Sequence, residues 1–465
     1  MNRRFPLARR ALLLFGDTVV IFTGFAAAVW LNSLVKTTPQ LLLAAYYPLL
    51  PVLLISAWVL LAANSLLSIV RMVASQVIIS VGVTVLQLWV IMMAASFLFA
   101  TSGSRAVFFW AAVFQFIGLS VWKYSIWRLE KARLQPKHAL IIGSATDGGR
   151  IAGRLAGQAF AHYTIRQCRM EPSEPAGSWC EAVEQADLLI ITADVPLAEK
   201  AQIVQLAHER GKQVALVPDF YELFCLNTEL DKFDDIPVFR AKYPRPTMEN
   251  RILKRGLDVA VALASLAVLW PLFLILAIAI KLDSRGPVFY TQIRTGRDEK
   301  PFTIYKFRTM RSDAEALTGP VLATEDDPRI TRLGKLMRAT RLDELPQLFN
   351  VARGEMSIVG PRPERPVFVE QLKQTVANYH YRHNVKPGIT GFAQVYGKYN
   401  TLPEDKLVYD LMYIQRCSVL TDLAVMLQTV RVLLLKDSTA GVAANEIKSA
   451  QAQLSAADSV KARGA

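Results

Sequence analysis

The stretch "LDVAVALASLAVLWPLFLILAIAIKL", residues 257–282, is long enough to cross a bilayer, yet its flanks argue against a simple crossing. Arg251, Lys254 and Arg255 stand before it, and Lys281 and Arg285 stand after it. Both ends therefore favour the cytoplasmic side, which one crossing does not provide. Pro271 follows Trp270 near the middle, where it deletes a backbone hydrogen bond and bends a helix. A re-entrant helix-break-helix over 251–282, broken at Trp270 and Pro271, satisfies both facts by dipping into one leaflet and returning. The rival is a kinked fifth span, which would place everything after Leu282 outside.

Towards the N-terminus lie four further apolar runs, at roughly 11–31, 41–65, 75–100 and 106–127. Each is long enough for a hydrocarbon core of about 30 Å. Arg3, Arg4, Arg9 and Arg10 precede the first, Arg71 lies between the second and third, and Lys123, Arg128, Lys131 and Arg133 close the fourth. The opposite loops carry only Lys36 and Arg105, so both ends of the bundle are expected in the cytoplasm. The first run lacks a clear small-x-small cleavage site and reads as a retained membrane helix rather than a signal peptide. Residues 1–134 are thus expected to form four transmembrane helices.

From 135 to 227 the texture changes to soluble α/β. "HALIIG" and "DLLIITA" read as strands, "QVALVPDFYELF" as a strand with its exit, and "GRIAGRLAGQAF" and "AEKAQIVQLAHERG" as helices, which predicts a parallel sheet. The loop "GSATDGG" has Gly143 and Gly148, but Ala145 occupies the middle position where glycine lets a backbone approach a pyrophosphate. The domain therefore reads as a degenerate Rossmann-like fold, either nucleotide-binding or kept for regulation or assembly. Residues 228–250 are polar and proline-containing, and read as a linker. Residues 283–437 read as a mostly helical cytoplasmic domain with a small β-hairpin, "GPVFYTQIRTG" against "KPFTIYKFRTM". Helices are expected around 311–317, 330–340, 346–353, 364–376 and 404–436, and a small, polar, disordered tail over 438–465. The whole is a multi-domain α/β membrane protein.

Hydrophobic residues make up 52% of the chain, which fits this membrane content, and the net charge is +14. That charge suits nucleic acid or an anionic membrane with phosphorylated substrates. Its distribution favours the second. "YKFRTM", "DPRITRLGKLMRATR", "SIVGPRPERP" and "NVKPGITG" set Lys306, Arg308, Arg329, Arg338, Arg341, Arg362 and Lys386 beside Gly, Pro or Thr. Such loops hold phosphate oxygens. Nucleic-acid grooves interleave basic and aromatic residues instead, so no nucleic acid is expected. The four cysteines lack CxxC spacing, which argues against a zinc site or a disulfide framework. His380 and His383 read as a solvated or interfacial helix face. No Ser-His-Asp order, HExxH or Walker A loop is present.

Within "LMRATRLDELPQLFN", 336–350, Asp343 and Glu344 are adjacent among arginines, with Pro346 suited to a first helical turn. Alone, the pair is an acidic helix start. Beside Arg338, Arg341 and the Arg362 loop it suits phosphoryl chemistry: one carboxylate can attack phosphorus while its neighbour holds Mg²⁺. Spacing does not assign the two roles.

From "KRGLDVAVALASL" through "YKFRTM", "DPRITRLGKLMRATRLDELPQLFNV", "GEMSIVGPRP" and "KPGITGFAQV" to "EDKLVYDLMYI", the chain resembles the bacterial sugar transferases, the monotopic polyprenyl-phosphate hexose-1-phosphate transferases. The resemblance covers about 252–436, and the N-terminal half looks like that of the larger, dimeric members. It implies that Asp343 attacks the β-phosphate of a UDP-sugar, releasing UMP, and that polyprenyl phosphate, commonly undecaprenyl phosphate, then takes the sugar phosphate. It implies Mg²⁺ on Glu344, phosphate binding by Lys306, Arg308 and the Pro361-Arg362-Pro363 motif, and substrate contacts in the "KPGITG" loop at Lys386 and Thr390. It further implies a site on the cytoplasmic face of a bacterial inner membrane, priming exopolysaccharide, capsule or O-antigen synthesis, with glucose or galactose the commoner sugar for large members. Arg341 departs from the usual Ser, Trp270 from the Ser of the Ser-Pro break, and Phe392 and Tyr396 from Trp and Asn. Two rivals are a transporter or channel with a nucleotide-sensing domain, and an inactive scaffold of an assembly complex. Few ionisable residues beyond Asp17 within the first four helices disfavour the former, and the intact Asp-Glu pair the latter.

Overall fold

The computed structural model describes residues 5–35, 46–69, 72–101, 104–133, 137–155, 163–169, 179–225, 228–241, 244–311, 327, 329–397 and 401–433. Two compact units divide the chain, Met1–Glu222 and Leu223–Ala465. The predicted 311–317 helix and the 438–465 tail lie outside the described residues, apart from Arg311.

In the first unit the apolar runs fold as α1 (Phe5–Val35), α2 (Leu50–Ala63), α3 (Ala74–Leu98) and α4 (Arg105–Arg133). α1, α3 and α4 are long and apolar enough to cross a membrane, whereas the second helical run, Tyr47–Ala63, is shorter. α1 lies close along α4: a Cβ on Gly24 would come within 3.1 Å of the Gln115 backbone nitrogen. Small residues permit such backbone approach between membrane helices. Asp17, the charge left isolated in the sequence, is fully buried and paired. Lys123 Nζ donates to Asp17 Oδ2 at 2.7 Å and to the Leu66 carbonyl at 2.9 Å, and Trp122 Nε1 donates to Asp17 Oδ1 at 3.1 Å. Lys123 is thus a buried partner of Asp17 rather than part of the basic fringe closing α4.

The α/β part is a four-stranded parallel sheet in the order β2-β1-β3-β4, with β1 Lys137–Gly143, β2 Tyr163–Arg169, β3 Leu188–Ile191 and β4 Gln213–Leu216. Buried Leu140, Ile142, Leu189 and Ile191 meet Ile203 and Ala207 of the helix Leu197–Glu209. Central strands covered on both faces read as the continuous apolar runs found in the sequence. β2, with its Arg and Gln residues, was not among the expected strands. The helix after β1 starts at Ala145, earlier than expected, so the glycine loop belongs to its first turns. The Ser144 amide donates to Asp194 Oδ2 at 2.8 Å, so an acid already holds the amide that opens this loop.

In the second unit the expected linker is largely an antiparallel hairpin, β5 (Thr228–Phe233) and β6 (Ile236–Ala241). Asp234 takes a left-handed φ of 60° in the two-residue turn, a conformation Asp tolerates. The apolar stretch becomes α5 (Met248–Asp283), started by Thr247, whose hydroxyl accepts from the Asn250 amide. The expected break is not an interruption: helix continues through Trp270 and Pro271. Proline removes one backbone hydrogen bond without forcing the neighbouring residues out of helical torsions. Val268, Trp270, Leu274 and Ile275 present apolar surface outward, while Lys254, Asp258 and Ala262 before the proline and Leu276 and Ile280 after it are buried. Near its start Lys254 donates to the Val359 carbonyl and pairs with buried Asp422, and Asp258 accepts from Ser357 Oγ at 3.0 Å and the Ile358 amide at 2.9 Å. Past the proline, Leu276 and Ile280 pack on Phe307 and Met337.

The predicted hairpin is present as β6's successors β7 (Phe289–Thr295) and β8 (Pro301–Phe307). Then come α6 (Arg332–Ala339), α7 (Gln347–Arg353), β9 (Ser357–Val359), α8 (Pro366–Thr375) and β10 (Gly388–Thr390), which pairs parallel with β9. The single helix expected over 404–436 is two, α9 (Pro403–Gln415) and α10 (Val419–Leu433). Ser418 separates them: its carbonyl accepts from the Asp422 amide and its hydroxyl from the Thr421 amide, starting α10 afresh.

Asp258 is the acceptor on which the buried start of α5 relies. Asp258→Ala should lower stability by about 2–3 kcal/mol, because two buried donors lose their partner. Asp258→Asn, which keeps one oxygen, should lose less. Thermal unfolding of the full chain in detergent checks both.

Candidate active site

Asp343 and Glu344 lie in a 3₁₀ turn, Leu342–Glu344, between α6 and α7. Pro346 occupies the N-cap position of α7 and Gln347 begins the helix, close to the expected start. Adjacent residues of a 3₁₀ turn project about 120° apart. The two carboxylates accordingly meet different surroundings although both are buried.

Glu344 faces cations from two elements. Its Oε1 accepts from Lys306 Nζ of β8 at 2.8 Å and from Arg362 Nη2, in the loop after β9, at 2.7 Å. Its Oε2 has a longer approach of 3.4 Å from Arg362 Nη1. Burial alone would raise its pKa, but the charges and hydrogen bonds of Arg362 and Lys306 outweigh burial and hold it well below the usual carboxylate range. The same carboxylate pushes the Arg362 pKa up. The cations around the dyad are therefore not reserved for a substrate, as the sequence implied: Lys306 and Arg362 are ion-paired to Glu344.

Asp343 is the opposite case. Its Oδ1 is buried and has no hydrogen-bond partner among the described residues. Burial, then the Glu344 charge, raise its pKa, against the opposing pull of Lys306, Arg338 and Arg362. A poorly solvated carboxylate oxygen beside three cations is suited to attack an electrophile that brings its own negative charge.

The other expected residues divide. Arg338 joins the dyad electrostatically while its Nε donates to Thr309 Oγ1 at 2.9 Å. Arg341, directly before the turn, has a left-handed φ of 59°. Pro361 and Pro363 hold the Arg362 loop through their carbonyls, which accept from the Gly388 amide and from Arg294 Nη1. Arg308 is turned elsewhere, clamping the end of α5 through the carbonyls of Ser284 and Arg285 at 2.7 Å each. Arg329 pairs bidentately with Asp327, and Thr390 Oγ1 lies 2.8 Å from Thr429 Oγ1. Lys386 lines a separate cavity with Arg255.

Several positioning residues escaped the sequence reading. Asn350 accepts from the Tyr305 amide and donates to the Thr303 carbonyl and Glu355, tying α7 to the strand that carries Lys306. Arg382 donates to the Arg362 carbonyl at 2.9 Å and to Asp410 at 3.0 Å, so it holds the opposite side of the site. The segment expected as a solvated or interfacial helix face is a 3₁₀ stretch, Tyr379–Asn384, in which Arg382 and His383 are buried. Burial, with Arg382 beside it, lowers the His383 pKa to about 4. The only hint was the crowding of aromatic and basic residues in "YHYRHN". Among the described residues no cluster of three or more His, Cys, Asp or Glu could hold a metal.

A family model described as bacterial sugar transferase matches residues 249–436. The chain is 38% identical over 244 residues to the UDP-glucose:undecaprenyl-phosphate glucose-1-phosphate transferase of Escherichia coli K12, covering 50% of this chain and 52% of that protein. It is 43% identical over 192 residues to the UDP-N-acetylgalactosamine-undecaprenyl-phosphate N-acetylgalactosaminephosphotransferase of Aeromonas hydrophila, covering 41% and 45%. It is 41% identical over 192 residues to the exopolysaccharide production protein PSS of Rhizobium leguminosarum bv. phaseoli, covering 38% of this chain and 94% of that protein. The chain thus spans about half the length of the first two relatives and nearly all of the third.

The depressed pKa of Glu344 makes its contribution to stability pH-dependent. That contribution is present above its unfolded pKa and is lost as pH falls through the lower folded value. Arg362→Met should therefore destabilise the protein at pH 7 by on the order of 1–2 kcal/mol, the pair being partly exposed and Lys306 remaining. The difference from the parent should shrink steadily as pH drops below about 4.5. Melting temperatures of both proteins across that range test the sign.

Proposed function

Because the chain belongs to the bacterial sugar transferase family, we propose that it transfers a hexose 1-phosphate from a UDP-sugar to polyprenyl phosphate, releasing UMP. The observation that carries the reading is the buried, unpartnered Asp343 Oδ1 beside a cation-bearing neighbour. In the first step this oxygen bonds to the β-phosphorus of the UDP-sugar. The bond from that phosphorus to the oxygen bridging the two phosphates breaks, and UMP leaves. In the second step a phosphate oxygen of the polyprenyl acceptor attacks the same phosphorus. Asp343 is displaced as a free carboxylate, and polyprenyl-diphospho-sugar is formed.

Glu344 stays ionised in this scheme and keeps Lys306 and Arg362 in place. Arg338 and Arg362 balance the charge of the incoming phosphates. Glu344 Oε2, the less engaged oxygen, is where Mg²⁺ would be held with the substrate's own phosphate oxygens, the manner in which this ion usually binds. When bound, Mg²⁺ would neutralise the charge that develops on the phosphate of the departing UMP. Support for a re-entrant α5 comes from α7, a seven-residue helix that touches α5 on both sides of the proline. Arg255 donates to the Val351 and Ala352 carbonyls, while Phe273 packs edge-on against Phe349. In a straight helix those two α5 positions would be about 27 Å apart, against a length of about 10 Å for α7. A bend at Pro271 relieves the mismatch and favours a dyad at headgroup level on the cytoplasmic face.

Relatives named for glucose and for N-acetylgalactosamine transfer occur side by side, so the family match leaves the sugar open. Glucose or galactose is our choice, in a priming step of exopolysaccharide, capsule or O-antigen synthesis carried out by a homodimer in the bacterial inner membrane. Asp343→Asn should reduce UMP release at least a thousandfold and abolish covalent labelling by radiolabelled UDP-sugar. Glu344→Gln should remove the negative neighbour that helps raise the Asp343 pKa, so the acidic limb of its residual activity should move to lower pH. UMP release over a UDP-sugar panel with undecaprenyl phosphate measures both; full activity of Asp343→Asn would sink the covalent scheme.

A further inference from the structure

A second basic recess lies at the opposite end of α7 from the dyad. It has a volume of about 320 Å³, and five cations, Arg251, Lys254, Arg255, Arg297 and Lys386, line it with one carboxylate, Asp258. Four of these charges are already committed. Lys254 is held by Asp422, Arg255 by the Val351 and Ala352 carbonyls, Arg297 by Asp298 at 3.2 Å, and Asp258 by Ser357 and the Ile358 amide. Lys386 is not: partly buried, its ammonium has no hydrogen-bond or ion-pair partner among the described residues. Burial, then repulsion from Arg255 and Arg297, lower its pKa against the opposing pull of Asp258. The cations converge. A Cβ placed on Gly354 would lie 3.3 Å from Arg255 Nη2 and 3.5 Å from Lys386 Nζ. Gly354 has a φ of +92°, so the close approach is kept open by a residue that bears no side chain.

Arg251 and Lys386 are left without an ion-pair partner among the described residues, and two such cations lining one recess suit an anion. The recess also has an apolar wall that includes Met248 and Ile252, which are 67% and 61% exposed. These residues belong to the first turns of α5, just before its long apolar run. Basic side chains at such a boundary lie at the level of lipid phosphates, and the neighbouring apolar residues lie beside the chains. We propose that this recess binds the phosphate of a net-anionic membrane lipid, with Lys386 and Arg251 on the phosphate and Met248 and Ile252 along the first part of the hydrocarbon. About 10 Å of α7 separates this phosphate from the dyad, so it is a position distinct from that of the transferred group. The two are linked through backbone. The Pro387 carbonyl accepts from the Ser357 amide, and the Gly388 amide donates to the Pro361 carbonyl, one residue from Arg362.

The shared chemistry admits a bulk anionic phospholipid or a polyprenyl phosphate, and the experiment separates them. Full-length protein in detergent is titrated separately with phosphatidylglycerol, undecaprenyl phosphate, phosphatidylcholine and inorganic phosphate, and one-to-one adducts are read by native mass spectrometry. An adduct with phosphatidylglycerol or undecaprenyl phosphate is expected, weakened about tenfold in Arg251→Gln/Lys386→Gln and restored by Lys386→Arg. It should be unchanged in Asp343→Asn and Arg362→Gln, so loss of the transferase reading leaves this one standing. Preference for phosphatidylglycerol would assign a resident lipid, and preference for undecaprenyl phosphate a waiting position for acceptor or product. Lipid binding undiminished in the double variant would overturn the proposal. So would equal binding of phosphatidylcholine, binding of inorganic phosphate alone, or an adduct lost in Arg362→Gln but kept in Lys386→Gln.

Discussion

A carboxylate withdrawn from water must be neutralised, and Glu344 is neutralised by drawing two cations from separate parts of the chain onto one oxygen. Lys306 arrives on β8 and Arg362 on the loop after β9, so one ion-pair triad ties the hairpin, the dyad turn and the Pro361-Arg362-Pro363 loop together. Other buried polar groups hold the ends of this arrangement. Asn350 fixes α7 against β8, and Arg382 grips the Arg362 carbonyl from below, backed by Asp410. Burial raises the Asp410 pKa to about 6 even beside Arg382. The charge on Asp410 therefore depends on its arginine, and Arg382 depends on Asp410 in turn. Asp343 has no such support: its Oδ1 is buried without a hydrogen-bond partner among the described residues.

α5 serves two solvents. Its middle presents Val268, Leu274 and Ile275 outward, and its ends carry the polar and apolar contacts that build the second unit. Lys254 and Asp258, one turn apart, are spent on β9 and α10, while Leu276 and Ile280 pack under Phe307 and Met337. The outward apolar face and the site are therefore not separable: the helix that presents it, long and apolar enough to cross a membrane, also presses on the strand carrying Lys306.

Legibility of the sequence followed the range of the interactions. The β7–β8 hairpin, the extents of α6 and α7 and the apolar helices were readable because alternation and helical periodicity are local signals. The β5–β6 hairpin was missed because its exposed Leu230 and Phe239 stand among acids, lysines and a proline that read as linker. The division at Ser418 was hidden by continuous apolar spacing, and it places Asp422 against Lys254, which is 168 residues away. Within the site, residue types were legible and pairings were not. Arg308 and Arg362 look alike in sequence, each in a short basic motif, yet one caps a helix end and the other meets the dyad. Lys386, grouped with them by its Gly and Pro neighbours, belongs to a different recess.

Arg341 shows how the dyad gains its geometry. α6 ends at Ala339, and Arg341 then adopts φ 59°, ψ 15°, a left-handed conformation that disfavours residues with a Cβ by about 1 kcal/mol or more. That single torsion turns the chain so that Leu342–Glu344 begins a new, tighter turn instead of another turn of α6. Had α6 simply continued, neighbouring carboxylates would have been set 100° apart on a helix whose far face is solvated. With the corner in place, Leu342 and Leu345 pack beneath, against the core around Phe307 and Met337, and both acids are carried inward. Strained torsions persist where surrounding contacts over-determine them. Here those contacts are the leucines below and the ion pairs of Glu344 above, so strain, burial and charge pairing have one outcome: two adjacent acids in unlike environments.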